Sequence, residues 1–176
     1  MGRICDREYG DDSCPYCAGK RPLAGFNTLE VTNPELISEW SNDNVRNINE
    51  FLQTSGYIAQ WVCSVCHGEY YARILYRVLG KENCPYCDDR KVLPGYNSFA
   101  VRHKDLLKSW DYLNNYILLD PDMISDSCTE RVWWICENNP SHKYQLSPKQ
   151  KIMYQKRHME SCSICKGRRR KRHHFF

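Results

Sequence analysis

Residues 61–66 read Trp-Val-Cys-Ser-Val-Cys, and residues 84–87 read Cys-Pro-Tyr-Cys. A C-x-x-C turn brings two thiolates onto one tetrahedral Zn²⁺, so several such pairs at consistent separations are a strong metal signal. Two further pairs occur, at Cys14/Cys17 and Cys162/Cys165. Disulfides are the alternative, but the odd total of 11 Cys and the lack of an apolar signal-peptide core at the start of the sequence count against them. We therefore predict zinc ligands and an intracellular protein.

An internal repeat organises the chain. Residues 14–40 match residues 84–110 at an offset of 70 without a gap. Each copy contains Cys-Pro-Tyr-Cys, a Gly-aromatic-Asn turn and a Trp, and a third copy begins at Cys162 and stops almost at once. The predicted domains are a truncated trailing half-module over 1–17, complete zinc modules over 18–87 and 88–165, and a basic C-terminal tail over 166–176.

Short secondary-structure elements are expected within each module. Asn33 is a good N-cap and Pro34 suits the first helical position, so a short helix is predicted there. Aromatic and β-branched residues predict strands over 57–62 and 131–135, and a second strand over 69–76 that pairs back as a hairpin. A unit this small buries too little apolar area to fold on hydrophobicity alone, so a structural metal is expected to supply part of its stability. The predicted fold class is a small, metal-stabilised α+β protein.

The combined motif resembles a known family. The order Trp-x-Cys, a Cys or His shortly after, Cys-Pro-Tyr-Cys, a Gly-aromatic-Asn turn and Pro-Glu-Leu-x-x-Glu-Trp is similar to the probable zinc-ribbon domain family of treble-clef type. That family occurs as tandem copies in bacterial, mobile-element and large-virus proteins. The resemblance covers nearly the whole chain. It implies tandem treble-clef zinc modules with short β-hairpins and short helices, and it suggests nucleic-acid binding.

The resemblance also implies two closed zinc sites, and hence two Zn²⁺ per chain. The ligands it implies are Cys63, Cys66, Cys84 and Cys87 in the first site, and Cys136, His142, Cys162 and Cys165 in the second. The family usually has Gly-His-Glu-Trp at the second ligand, and the inverted order His67-Gly68 favours Cys66 over His67 as the ligand here. Whether Cys14 and Cys17 bind a third ion stays open. The other ligands of that site could come from a partner chain or from Cys5 with Cys128, or the pair could bind no metal.

The net charge of +4 conceals an asymmetry. Residues 1–130 hold 13 Lys/Arg against 19 Asp/Glu, whereas residues 131–176 hold 12 against 2. No basic residue lies between Lys108 and Arg131, so that stretch would repel phosphate groups. The candidate nucleic-acid contacts are basic residues that follow a C-x-x-C pair or lie near a hairpin: Lys20, Arg21, Arg90, Lys91, Lys149, Lys151, Lys166, Arg168, Arg169, Arg170, Lys171 and Arg172. The alternative for the C-terminal cluster is a solubilising tail.

Four protein ligands leave zinc no open position for water, so both sites are expected to be structural rather than catalytic. The enzymatic rival is a zinc-dependent nucleobase deaminase, because His67-Gly68-Glu69 and Cys84-Pro85-Tyr86-Cys87 partly match its H-x-E and P-C-x-x-C signature. Asn83 stands where that signature has Pro, and Cys63 and Cys66 would have no role.

The sequence therefore favours a binding protein over an enzyme. No apolar run is long enough to span a membrane, so no membrane partner is expected. We expect a non-enzymatic protein that contacts nucleic acid, either DNA or RNA, as an accessory subunit of a larger nucleic-acid-processing or defence-related complex. The competing hypothesis is a protein-binding scaffold subunit of ribosomal, transcription or inhibitor type, in which zinc is purely structural.

Overall fold

The computed structural model of the protein describes residues 14–167. The chain divides into two compact units, Met1–Asp88 and Asp89–Phe176. Within the described residues, no helix is both long and apolar enough to cross a membrane. The finer limits expected from the repeat, including a half-module over 1–17 and a tail over 166–176, stay a prediction.

The first unit contains one antiparallel hairpin among short helices. Its elements in chain order are α1 (Leu29–Thr32), two 3-10 helices (Pro34–Glu39 and Ile48–Glu50), β1 (Ile58–Val62), β2 (Glu69–Arg73) and α2 (Ile74–Val78). Trp61 on β1 lies opposite Tyr70 on β2. Alternate residues of each strand are buried, which gives the hairpin one face toward the core and one toward solvent.

The second unit repeats this plan, again with three short helices before its hairpin. Its elements are α3 (Phe99–Arg102), a 3-10 helix (Leu106–Ser109), α4 (Tyr112–Asn115), β3 (Val132–Ile135), β4 (Lys143–Leu146) and α5 (Pro148–Lys156). Trp134 on β3 lies opposite Tyr144 on β4. The start of α5 is well defined, because Pro148 occupies the first turn and the Ser147 side chain accepts the Gln150 N–H.

The predicted combination of short hairpins and short helices is confirmed, with two differences in detail. The helix predicted after Asn33 is a 3-10 helix, and the Asn33 side chain bonds to Glu35 rather than capping the helix. The strand predicted over 69–76 ends at Arg73. Ile74 donates its N–H to the Tyr57 carbonyl at 3.0 Å, and the chain then turns into α2, which buries Ile74 completely.

A fully buried tryptophan lies in the core of each unit, and a second tryptophan packs on it. Trp61 and Trp134 are fully buried, and their indole N–H groups donate to the carbonyls of the opposite strand at 3.1 and 2.8 Å. Trp40 packs edge-on against Trp61, with 5.3 Å between the ring centres, and Trp110 packs in the same way against Trp134, with 5.1 Å between the ring centres. Burial of such large rings provides much of the apolar area available to units of this size.

An asparagine ties the segment before each hairpin to its first strand. The Asn44 side chain accepts the Gln60 N–H at 2.9 Å and donates to the Gln60 carbonyl at 2.8 Å. Asn115 makes the same two bonds with Trp133, at 2.8 and 2.9 Å. Each amide therefore replaces a neighbouring strand, and it satisfies backbone groups that would otherwise lie at an open edge.

Candidate metal centres

Four cysteines converge at one end of the hairpin in the first unit. Cys63 and Cys66 lie in the turn that follows β1, whereas Cys84 and Cys87 follow α2. The Cys63 and Cys87 sulfurs are 3.6 Å apart, and the Cys66 and Cys84 sulfurs are 3.5 Å apart. His67 has a left-handed φ of 56°, which turns the chain back toward β2 directly after the second cysteine.

Three cysteines and a histidine converge in the second unit. Cys136 follows β3 and His142 precedes β4, so the hairpin loop supplies two ligands, while Cys162 and Cys165 follow α5. The Cys136 and Cys165 sulfurs are 3.6 Å apart, and His142 Nδ1 is 3.4 Å from the Cys165 sulfur. In both clusters all four ligand atoms lie within 4.8 Å of one another.

The ligand geometry fits Zn²⁺. Tetrahedral zinc with Zn–S bonds of about 2.3 Å places neighbouring sulfurs about 3.8 Å apart. The observed sulfur separations of 3.5–3.6 Å are within a few tenths of an ångström of that value. The predicted two zinc sites are therefore confirmed, and each one offers four protein ligand atoms, the number that tetrahedral Zn²⁺ binds.

The protonation of the cysteines shows why these clusters require a cation. Burial raises the pKa of Cys66 to about 12. Burial acts in the same direction at Cys63, but hydrogen bonds from the backbone N–H groups of Cys66 and Val65 outweigh it and lower that pKa to about 7. Backbone N–H groups also lower the pKa of Cys136 against the effect of burial. The fold thus favours the thiolate at Cys63 and at Cys136 and the neutral thiol at Cys66, where a bound cation would favour the thiolate as well.

The first cluster contains Cys66 and not His67, as the inverted His-Gly order favours. This arrangement differs from the ligand set of a nucleobase deaminase, in which a histidine and two cysteines hold zinc beside a catalytic glutamate. Glu69 lies on β2 instead, where its carboxylate accepts a hydrogen bond from Gln60.

The turn at Cys14 and Cys17 has the same backbone form as the zinc-binding turn at Cys84 and Cys87. Residues 14–32 and 84–102 have the same succession of turn and helix. The Ala18 N–H bonds to the Cys14 carbonyl at 2.9 Å, as Asp88 does to Cys84 at 3.2 Å. No group of three or more ligands within residues 14–167 includes Cys14 or Cys17. Cys128 packs against the apolar core of the second unit, and Cys5 lies outside the described residues.

The predicted nucleic-acid contacts lie in different environments. Five are exposed: Lys20, Arg21, Arg90, Lys91 and Lys149. Lys166 is half-buried, and its ammonium group lies 3.9 Å from the centre of the Tyr154 ring. Five lie outside the described residues: Arg168, Arg169, Arg170, Lys171 and Arg172.

Lys151 is the exception among the predicted contacts, because the structure places it inside the second unit. Its side chain is only 6% exposed, and Nζ donates to the Tyr144 hydroxyl at 3.0 Å and to Ser161 at 3.1 Å. The ammonium nitrogen also lies 5.3 Å from the centre of the Trp134 ring. Lys151 therefore stabilises the core beside the zinc site, and we exclude it from the surface that could contact phosphate.

A partly buried cation occupies the matching position of the first unit. Arg77 lies on α2, and its guanidinium pairs with the buried carboxylate of Glu39. Burial alone would raise the pKa of Glu39, but hydrogen bonds from Arg77 and Ser64 keep it below the ordinary value. Because Ser64 lies between two zinc ligands, this ion pair connects α2 and the 3-10 helix to the metal-binding turn.

Two exposed aromatic residues outside the predicted contact set lie beside the basic pairs. Phe26 is 53% exposed and Tyr96 is 37% exposed. Each belongs to the repeated Gly-aromatic-Asn turn, a few residues after Lys20-Arg21 or Arg90-Lys91. The sequence signal that could have identified these aromatic residues is their short distance from a basic pair, which is the same in both copies of the repeat.

Comparison with known proteins agrees with the geometry of the two clusters. No curated protein matches the chain at a significant level. The profile of one family, described as a probable treble clef zinc finger domain, matches residues 36–90 and 106–168, which is more than half of the chain. Each matched stretch contains one complete four-ligand cluster. The chain therefore belongs to the family of probable treble clef zinc finger domains and carries two copies of it, each with its own zinc site.

Proposed function

We propose that the protein is a non-enzymatic zinc protein that binds nucleic acid, as an accessory subunit of a larger nucleic-acid-processing or defence-related complex inside the cell. One observation carries the proposal. In both units, the loop after a Cys-Pro-Tyr-Cys turn presents a basic pair together with an exposed aromatic side chain. We call these two segments, residues 20–27 and 90–97, the basic-aromatic loops.

An asparagine closes each basic-aromatic loop. The Asn27 side chain accepts the Leu23 N–H at 2.7 Å and donates to the Arg21 carbonyl at 2.9 Å. Asn97 makes the same contacts with Leu93 at 2.7 Å and with Lys91 at 2.9 Å. The loop backbone is thus held in one conformation, so its binding groups lose less entropy when they meet a ligand.

The two kinds of side chain in each loop suit a nucleic-acid strand. Lysine and arginine neutralise backbone phosphates, and an exposed aromatic ring offers a face on which an unpaired base can stack. Phe26 and Tyr96 can contact a base in this way only where the base is unpaired, which favours single strands over duplexes. The five cationic residues at 168–172 add a further phosphate-binding segment to the proposal.

Neutralising one basic pair tests the phosphate contacts. We expect the double variant Arg90→Gln/Lys91→Gln to weaken binding of a single-stranded oligonucleotide. The logarithm of the association constant decreases with the logarithm of the salt concentration, and the magnitude of that slope should become smaller by about 1.4, since each phosphate contact on a single strand contributes about 0.7. Fluorescence anisotropy at several salt concentrations, with DNA and RNA strands, measures both quantities. The matched control is Lys104→Gln/Lys108→Gln, which removes two exposed charges from the same unit outside the loop.

The aromatic residue has a different signature from the basic pair. Phe26→Ala should lower affinity by about 1–3 kcal/mol, which corresponds to one lost base stack, and should leave the salt slope unchanged. Equal affinity of both loop variants, the control and the unmodified protein would contradict the proposed function.

Deletion of residues 168–176 in the same assay shows how much affinity the C-terminal cluster supplies, and an unchanged affinity would favour the solubilising role.

The proposal of a non-enzymatic role rests on the closed zinc sites. Both clusters use four protein atoms, so the zinc that they fit has no position for a reactive water. The protein would then serve a complex whose chemistry comes from another subunit. The competing scaffold hypothesis is favoured by an exposed apolar face on the second unit, where Leu113, Tyr116 and Ile117 are each more than 80% exposed.

We also propose that Cys14 and Cys17 supply two ligands of a third zinc site, because their turn already has the form of the ligand turn at Cys84 and Cys87, and that a partner chain or Cys5 with Cys128 supplies the other two. Metal analysis of the purified protein should give three zinc ions per chain. The variant Cys14→Ser/Cys17→Ser should give two, with the Trp fluorescence of the folded units retained. A ratio of two in both proteins would show that this pair does not hold zinc in the isolated chain.

A further inference from the structure

The second unit presents three large apolar side chains to solvent on one side of α4 and the turn after it. Leu113 is 83% exposed, Tyr116 is 89% exposed and Ile117 is 88% exposed. Residues spaced by three and four positions lie on the same side of a helical turn, so these side chains form one surface. We call it the apolar face. Exposed apolar groups of this kind mark interaction sites more often than ordinary surface.

The buried side of the same segment is polar, which reverses the usual pattern of a surface helix. Asn115 is only 1% exposed, and its side chain makes two hydrogen bonds to the backbone of Trp133. A surface helix normally buries its apolar side and exposes its polar side. Because Asn115 must face the hairpin to make these bonds, the residues on the other side of the helical turn are held toward solvent.

The first unit shows that this part of the fold does not require apolar residues. Asn44 makes the same two bonds to Gln60. The residues just before it, Asn42 and Asp43, are polar and exposed, and Val45 follows it with 95% exposure. The bulky leucine, tyrosine and isoleucine of the second unit are therefore additional to what the fold needs at this position.

The charges in the chain segment that contains the apolar face, residues 109–130, indicate which partner it fits. The charged residues between positions 109 and 130 are all acidic: Asp111, Asp120, Asp122, Asp126 and Glu130. Asp111 pairs with Lys143, and Asp126 lies against Arg102 and His103, so these two charges are compensated within the unit. Asp120 and Glu130 are exposed, and Asp120 follows the apolar face by three residues. A phosphate backbone would be repelled here.

We propose that the apolar face is a docking site for a protein partner whose contact surface combines apolar side chains with lysine or arginine at its rim. Tyrosine and large aliphatic residues supply the buried contact area of such an interface, and complementary charges at the rim select and orient the partner. In addition to the proposed nucleic-acid contacts, the second unit then has a protein-binding surface that shares none of its residues with the basic-aromatic loops.

A random peptide library displayed on phage provides a test that does not require the partner to be identified first. The library is panned on the zinc-loaded full-length protein and counter-selected on the variant Leu113→Asn/Tyr116→Asn. We expect the retained peptides to be enriched in leucine, isoleucine or phenylalanine together with lysine or arginine. For a synthesised peptide from this pool, the double variant should raise Kd by at least about tenfold, as loss of central interface residues does. Asp120→Asn should raise Kd severalfold.

Val45→Asn is the matched control, since it removes an equally exposed apolar side chain from the corresponding place in the first unit and should leave Kd unchanged. Unchanged zinc content and far-UV circular dichroism exclude unfolding of the double variant. Failure to retain any peptide, retention of acidic peptides, or equal binding to the double variant would overturn the proposal. A dimer in light scattering that the double variant abolishes would assign the face to a second copy instead. Weaker oligonucleotide binding by the same variant would assign it to nucleic acid.

Discussion

Substitution of Cys162 by Ser is expected to unfold the second unit and to lower the bound zinc by one ion per chain. Cys162 is fully buried, and it supplies one of the four ligands of the second cluster. Structural zinc in small finger peptides contributes about 10–16 kcal/mol of binding free energy, which is folding free energy because the site exists only in the folded chain. That contribution equals or exceeds the whole stability of a typical domain, about 5–15 kcal/mol.

Metal analysis and the dispersion of backbone amide signals in NMR measure this outcome. The amide signals of residues 89–167 should collapse to unfolded positions. Those of the first unit should remain, since its cluster draws all four ligands from its own unit. Cys128→Ser is the matched control, because Cys128 is a half-buried cysteine of the same unit that is not part of the cluster. A Cys162→Ser protein that stays folded and keeps its full zinc content would contradict the assignment of this residue as a ligand.

The second large effect concerns two adjacent tryptophans on β3. Trp134→Ala should lower the free energy of unfolding by about 3–5 kcal/mol, which is the usual cost of removing a fully buried aromatic ring. The loss is increased by about 1–3 kcal/mol because the Leu146 carbonyl, which accepts the indole N–H at 2.8 Å, loses its donor. Trp133→Ala should cost about 1 kcal/mol, since Trp133 is half-buried and its two bonds to Asn115 use only its backbone.

Guanidinium unfolding in the presence of zinc, followed by far-UV circular dichroism, compares the two variants without relying on tryptophan fluorescence. The unmodified protein should have the highest midpoint, Trp133→Ala a slightly lower one, and Trp134→Ala by far the lowest. Equal midpoints for the two variants would show that the second unit does not depend on Trp134 as its central core residue.

Much of the fold could be predicted because it depends on local spacing. Each C-x-x-C pair holds its two sulfurs near one point whatever the rest of the chain does. The register of the repeat then relates the two copies, and aromatic and β-branched runs mark β1 and β3 to within one residue of their observed ends. The choice of Cys66 over His67 required a family pattern, because either residue could reach a metal from that turn.

Lys151 illustrates what local spacing does not contain. It lies two positions after the exposed Lys149 on α5, and both residues are cations near a hairpin. One is buried because α5 rests on Tyr144 and Trp134, and because Ser161, ten residues further along, accepts a bond from its ammonium. The residues over 112–118 show the reverse case, in which an apolar segment that composition would assign to a core is held toward solvent.

The amino-acid sequence by itself determined the C-x-x-C pairs, the two copies and the short hairpins, since each depends on residue types a few positions apart or on their repetition. Only the tertiary structure decided which cations remain available to a ligand and which apolar side chains remain uncovered. The physical reason is that burial is set by contacts between residues distant in the chain. Three such contacts fix which side of a helix faces inward, which the sequence of that helix alone does not determine. They join Asn115 to Trp133, Lys151 to Ser161 and Arg77 to Glu39.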